Sequence, residues 1–244
     1  TLIRCVLMHF GFFIFFISLE KLSLSTVTAL FFAAPFFITI LSALVLSERI
    51  GLIRVLIIVL GFIGVFLIVK PFKESEFSFF MLAPLFTAFS YAVAMVISKY
   101  TKENENAFLQ AFQQYSVSLL LSVITYTIIL LFPLDMIDKE EWRFIFGSIK
   151  FDNYNILISI AILSIFGTLG MTSLIHAYQV GSPITNGPTE YVLLILAIIN
   201  GYFFFGNIPD YLSLAGIILI ILGGWALFFR EYKRNKQGIK VFPT

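Results

Sequence analysis

Residues Leu56–Val69 read LIIVLGFIGVFLIV, and Leu214–Phe229 read LAGIILIILGGWALFF. Neither run alternates apolar with polar residues, as a barrel strand in lipid must. In a bilayer every backbone N–H and C=O has to be satisfied internally, which leaves helices or closed barrels. These runs are therefore helices. A hydrocarbon core about 30 Å thick takes roughly 17–25 apolar residues as helix. Segments meeting or approaching that length lie at approximately 3–19, 24–47, 53–70, 78–98, 107–132, 155–178, 184–205 and 211–230. The expected fold is an all-α integral membrane protein, a polytopic helix bundle with eight transmembrane helices in this chain.

Composition points the same way. Charged residues make up 12% of the chain and hydrophobic ones 59%, whereas a soluble domain carries about 25% charged residues. Of sixteen Lys and Arg and fourteen Asp and Glu, one alone, Glu190, falls inside a long apolar stretch. A charge at a helix centre costs roughly 2.5–3.5 kcal/mol on insertion scales, so the exception singles that residue out. The net charge of +2 comes from scattered basic residues, which gives no footprint for nucleic acid. One cysteine, Cys5, excludes an intrachain disulfide, and no Cys/His cluster suggests a metal or cofactor site. Residues 5–19 have the length of a signal-peptide core, but no small-residue cleavage site follows them, so they are read as a span.

The connectors are short except 133–153, where Trp142, Phe144 and Phe146 suit either an interfacial segment or an ordinary loop. Basic residues set the orientation. Arg4, Arg49, Arg54, Lys99, Lys102 and the five of the C-terminal tail fall on one side, against six on the other. The positive-inside rule then places the C-terminus in the cytoplasm.

An offset of 159 residues aligns Gly11 with Gly170, Ser23 with Ser182 and Thr26 with Thr185. Glu48 then falls on Asn207 and, one inserted residue later, Gly64 falls on Gly224. Spans 1–3 thus correspond to spans 6–8, and spans 4 and 5 have no partners. A complete first copy would add two helices, about 80 residues, before Thr1. A five-helix unit is odd-numbered, so the second copy enters the membrane inverted. Inverted repeats are a hallmark of secondary transporters, whose sites lie at the repeat interface.

Two stretches carry a family resemblance. TVTALFFAAPFFITILSALVLSERIGLIRVLIIVLGFIGVFLIVKP, from Thr26 to Pro71, has a threonine-alanine helix start, a mid-helix proline, a Ser-Glu-Arg turn and a GFxGVxLI run. SPITNGPTEYVLLILAIINGYFFFGNIPDYLSLAGIILIILGG, from Ser182 to Gly224, has the matching second-half pattern, with Asn207 in place of the usual Glu. The chain resembles EamA-type proteins of the drug/metabolite transporter superfamily, lacking the first two helices. The resemblance implies two inverted five-helix repeats, here 1–71 and 77–231 with a cytoplasmic tail at 232–244. It also implies alternating-access transport of a small organic metabolite across a bacterial cytoplasmic (inner) membrane.

Polar residues inside the spans recur on single faces. Ser164, Thr168, Thr172 and His176 repeat every fourth residue, as do Gln110, Gln114, Ser118, Ser122 and Tyr126. The second span offers Thr28, Pro35, Thr39 and Ser42. Such stripes face a wet cavity or serve as glue between helices. Glu190 lies two residues past Pro188, so an unwound entry through Gly187 would set it near a helix N-terminus. That gives the carboxylate a structural home; the functional alternative is a cavity-facing group that meets a cation or a proton. The candidate substrate-binding residues are Glu190, Asn186, Tyr191, His9, Gln110, Gln114, Tyr91 and Thr168, with protons as a candidate coupling ion.

Other classes fit less well. An intramembrane enzyme needs a paired acid, a Ser–His dyad or a metal cluster, and no HExxH or GxSxG occurs and no Asp lies in a span. A pairing of His9 with a serine, or a non-transporting structural role, are the alternatives. Strongly anionic cargo would call for Lys or Arg in the pathway, and these stand at span ends.

Overall fold

A computed structural model describes residues 2–22, 24–47, 51–69, 79–131, 154–193, 195, 196, 199, 203 and 210–236. The long connector at 133–153, read as an interfacial segment or an ordinary loop, the Glu48–Arg49 turn, Asn207 and the end of the tail lie outside these residues. The described helices are α1 (Leu2–Ser18), α2 (Leu24–Phe31), α3 (Ala34–Val45), α4 (Leu52–Val69), α5 (Leu82–Tyr100), α6 (Ala107–Leu131), α7 (Tyr154–Val180), α8 (Pro183–Thr189) and α9 (Tyr211–Lys236). A single 3₁₀ turn, Phe79–Met81, leads into α5.

Four stretches are long and apolar enough to cross a membrane: Val27–Val45, Phe79–Tyr100, Ala107–Ile128 and Tyr154–Val180. Leu2–Ser18, Val55–Ile68 and Tyr211–Gly223 are shorter apolar helices. The expected segment 184–205 opens with α8, and its later residues are described only in part. The last helix runs on to Lys236, past the expected end at 230.

The expected span 24–47 is two helices rather than one. Pro35 has no N–H to give residue 31, and its ring crowds that carbonyl. The chain breaks at Phe32–Ala33, where Ala33 N bonds Leu30 O and Phe36 N bonds Ala33 O, both at a three-residue step. The segment that the 159-residue offset sets against it breaks at the corresponding place: α8 ends at Thr189, and residues 190–191 form a turn before helix resumes at 192.

Small residues let the helices close on one another, as packing within a membrane requires. Gly11 brings α1 against α5. A Cβ on Gly11 would stand 3.0 Å from the Ser90 Cβ, and Thr87 Oγ1 donates to the Gly11 carbonyl at 2.7 Å. Helices α4 and α9 form the other close pair. Gly64 faces Gly216 and Ile57 faces Gly223, so seven residues forward in α4 match seven residues back in α9. The two helices are antiparallel.

One buried cluster joins α1, α3, α5 and α7 through Met8, Ile38, Ala88, Tyr91, Met95 and Tyr178. A second joins Ala29, Phe32, Val65, Tyr191 and Ile220. Residues 154–170 of α7 are exposed all round, and apolar side chains there suit contact with lipid.

Candidate functional site

Glu190 sits in the break after α8, its N–H donating to Gly187 O at 3.1 Å while the Tyr191 N–H donates to Pro188 O at 3.3 Å. The sequence reading put an unwound entry at Gly187. Instead Gly187 and Pro188 lie inside α8, because Pro183 at the first helical position starts the helix earlier. The carboxylate therefore follows a helix end and precedes the resumption at 192.

Two buried phenols converge on one oxygen of Glu190. Tyr91 of α5 donates to Oε1 at 2.8 Å and Tyr178 of α7 at 2.5 Å. A hydrogen bond to a charged group contributes about 1.5–3 kcal/mol. Two of them match the cost of one intramembrane charge, roughly 2.5–3.5 kcal/mol. Oε2 makes no hydrogen bond among the described residues, so one oxygen of a partly buried carboxyl group remains available.

Tyr91 links this cluster to a cavity. A space of about 590 Å³ lies between α1, α5, α6 and α7, walled by Tyr91, His9, Phe12, Phe16, Gln114 and Met171 among others. Its volume falls in the range of small-molecule sites, roughly 300–1,000 Å³. The wall is mostly aromatic and apolar, with His9, Gln114, Ser118 and Ser122 as its polar points. The Tyr91 ring also packs on Phe31, with centroids 5.5 Å apart. Phe31 is the residue that the 159-residue offset pairs with Glu190.

The remaining candidates fall in different places. Gln114 is buried and lines the cavity, while its Nε2 donates to Cys5 O at 3.2 Å and Ser118 Oγ at 3.3 Å. Gln110 is fully buried beyond the cavity and donates to Thr101 Oγ1 at 3.0 Å and Ser98 O at 3.3 Å. Asn186 folds over Gly181 and donates to Ala177 O at 2.6 Å, fastening α8 to the end of α7. Tyr191 is buried against Phe32 and Gly61 in the second cluster.

Thr168 lies outside the cavity, in a groove of about 480 Å³ between α6 and α7. The α7 stripe satisfies itself: Ser164, Thr168 and Thr172 each donate to the carbonyl four residues back, at 2.7, 2.7 and 2.8 Å. Thr39 does the same to Pro35 O at 2.8 Å. For these hydroxyls the backbone is the partner.

Sequence reasoning missed two residues. Tyr178, one turn before the Gly181-Ser182-Pro183 corner, carries no periodic signal, since a phenol fits an apolar helix face as well as a site. Arg4, read as an end-of-span charge, is fully buried. Among the described residues no group of three or more His, Cys, Asp and Glu is arranged to hold a metal ion.

An all-helical fold with membrane-length apolar segments, enclosing a cavity beside a partly buried carboxyl group, defines an integral membrane protein built to accommodate a solute. The chain belongs to the EamA-like transporter family, whose model matches residues 1–70 and 78–229. It is 25% identical over 241 residues to an S-adenosylmethionine uptake transporter of Rickettsia bellii, covering 98% of this chain and 75% of that one. It is 25% identical over 224 residues to the pseudopaline exporter CntI of Pseudomonas aeruginosa, covering 92% and 71%. A crystal structure with 16% sequence identity superposes with a TM-score of 0.72, over 91% of this chain and 74% of that one. That likeness supports the fold.

Proposed function

We infer that the protein is a secondary active transporter that moves a small organic metabolite across a bacterial inner membrane by alternating access. The observation that carries this is the cavity's position. Its walls come from α1, within the first family match, and from α5, α6 and α7, within the second. Transporters built from repeats bind their cargo at that kind of boundary.

The inverted five-helix repeats, 1–71 and 77–231, belong to the same reading. It is supported by the two helix breaks at corresponding places, and by the antiparallel pairing of α4 with α9. Within the cavity, Tyr91, His9 and Gln114 would contact cargo, and Glu190 would receive its polar or cationic group or a coupling proton. Gln110, Asn186 and Tyr191 would shape the site from behind, and Thr168 from the outer groove.

The relatives named above differ in cargo and in direction, one taking up and one exporting, so neither direction is assigned. The test is counterflow in proteoliposomes preloaded with S-adenosylmethionine, pseudopaline or a panel of amino acids and amines. Exchange of at least one labelled compound, lost in Glu190→Gln, is the expected result. Failure of every compound to exchange through a well-folded protein would sink the reading. Exchange that ignores a pH gradient, with Glu190→Gln fully active, would remove the proton.

A further inference from the structure

Arg4 has no exposed surface. Its Nη2 donates to the Gln110 main-chain carbonyl at 2.8 Å and lies 3.6 Å from Cys5 Sγ, and Nη1 makes a long bond of 3.5 Å to Ser98 Oγ. Every one of these acceptors is neutral. The Nε is buried without a partner, as are Oε1 of Gln110 and Oε1 of Gln114 beside it. Arg4 forms no ion pair among the described residues. Glu105 is near enough to feel its charge, yet accepts from Gln113 Nε2 at 3.4 Å.

This node closes one end of the bundle. Gln114, in the cavity wall, holds the Cys5 carbonyl, and one turn back Arg4 holds α6 through Gln110. At the same end Lys99 donates to Gln179 O at 2.8 Å and Val180 O at 3.3 Å, and Gln179 Nε2 donates to Glu105 O at 2.8 Å. Taking a guanidinium out of water with no carboxylate in direct contact is unfavourable. A static fastener would be better served by an apolar side chain, and a cycling one would not. Hydration of Arg4 on opening repays its desolvation, which keeps the open and closed states close in free energy, as alternation requires.

We propose that Arg4, with Gln110, Gln114 and Ser98, is a positioning latch that opens during the transport cycle and admits water to Arg4 and Cys5 at this end of the cavity. The proposal rests on the alternating-access reading, but its test does not depend on knowing the cargo. Substituting Arg4 leaves no acceptor stranded: Ser98 Oγ still donates to Ala94 O at 2.8 Å, and the Gln110 carbonyl keeps its place in the α6 ladder.

Cys5 is the single cysteine of the chain and is buried, so its reaction with a water-soluble maleimide reports opening when rates are compared on the high-pH plateau, where the thiol is fully ionised whether or not the Arg4 charge stands beside it. In lipid nanodiscs both faces are accessible. Wild-type Cys5 should react to completion while the fold stays intact. Arg4→Met, similar in length and uncharged, should slow the reaction at least about fivefold, with melting temperature unchanged or raised. Arg4→Lys, which keeps the charge, should stay within about twofold of wild type.

Three outcomes would overturn the latch: Cys5 that reacts only after denaturation, equal slowing in Arg4→Lys, or an Arg4→Met protein that melts lower, reacts faster or fails to fold. The last would make Arg4 a structural fastener. Labelling as expected with no counterflow of any compound would retain the latch and count against the transporter reading alone.

Discussion

Tyr191 donates its hydroxyl to the main-chain carbonyl of Phe32 at 3.4 Å, and the two rings lie 5.8 Å apart. These residues are 159 positions apart, the offset that aligns Gly11 with Gly170 and Ser23 with Ser182. Both sit at helix breaks, one after α2 and one after α8. Residues related by a repeat meet each other only near the axis that exchanges the copies. On the proposed inverted-repeat reading, that axis would pass between the two breaks. Tyr191 fills the space beside it: a Cβ added to Gly61 would run into the ring.

Truncating that ring should be severe and removing its hydroxyl mild. Tyr191→Ala is expected to cost about 3–5 kcal/mol, the usual range for emptying a buried aromatic site. Tyr191→Phe should cost under about 1 kcal/mol, because the hydroxyl bond is long. Thermal melting in detergent separates the two, and equal losses would mean that the hydroxyl, not the ring, holds the breaks together.

At Glu190 the identity of the replacement matters more than the loss of charge. Glu190→Gln keeps an acceptor oxygen for Tyr91 and Tyr178, so the fold should survive with a small melting shift while counterflow falls at least about tenfold. Glu190→Leu strands two buried phenols, at about 1–3 kcal/mol each. If Leu melts no lower than Gln, the phenols do not depend on the carboxyl group.

The α4–α9 pair predicts which glycines tolerate a methyl group. A Cβ at Gly216 would strike the Gly64 carbonyl oxygen, and one at Gly64 would stand 2.9 Å from the Gly216 oxygen. Backbone cannot yield as a side chain can, so either alanine should cost about 1–3 kcal/mol. Gly223 has its nearest neighbour, Ile57, at 3.7 Å, an ordinary contact. Gly223→Ala should be neutral, and a loss there equal to that at Gly216 would argue against this pairing.

Filling the cavity should stop transport without unfolding the protein. Gly167 lines it, and a Cβ there meets only the Tyr115 hydroxyl, at 3.9 Å. Gly167→Phe would project a ring into the space at little steric cost to the helices. The expected result is abolished counterflow with a melting temperature within a few degrees of wild type. Undiminished exchange would move the cargo path elsewhere.

Much of the helix order was legible from apolar run length, because a bilayer sets the length a span must have. So was the prominence of Glu190, since an intramembrane charge is conspicuous in any apolar sequence. The break at Phe32–Ala33 followed from Pro35 in principle, but proline alone does not say whether a helix bends or ends. The hydroxyl stripes left two readings open for a related reason: a threonine in a helix can bond to the carbonyl four residues back, and spacing cannot distinguish that from a wet face.

The sequence by itself determined that this chain is a helical membrane protein of the EamA-like transporter family, because apolar length, charge exclusion and local motifs are properties of contiguous residues. Tertiary structure alone decided that Tyr91 and Tyr178 share one oxygen of Glu190, and that Tyr191 meets Phe32. It alone showed Arg4 enclosed with no carboxylate in direct contact among the described residues. Each of these joins residues on different helices, and the angle and rotation at which helices pack are set by side-chain fit that no single segment encodes.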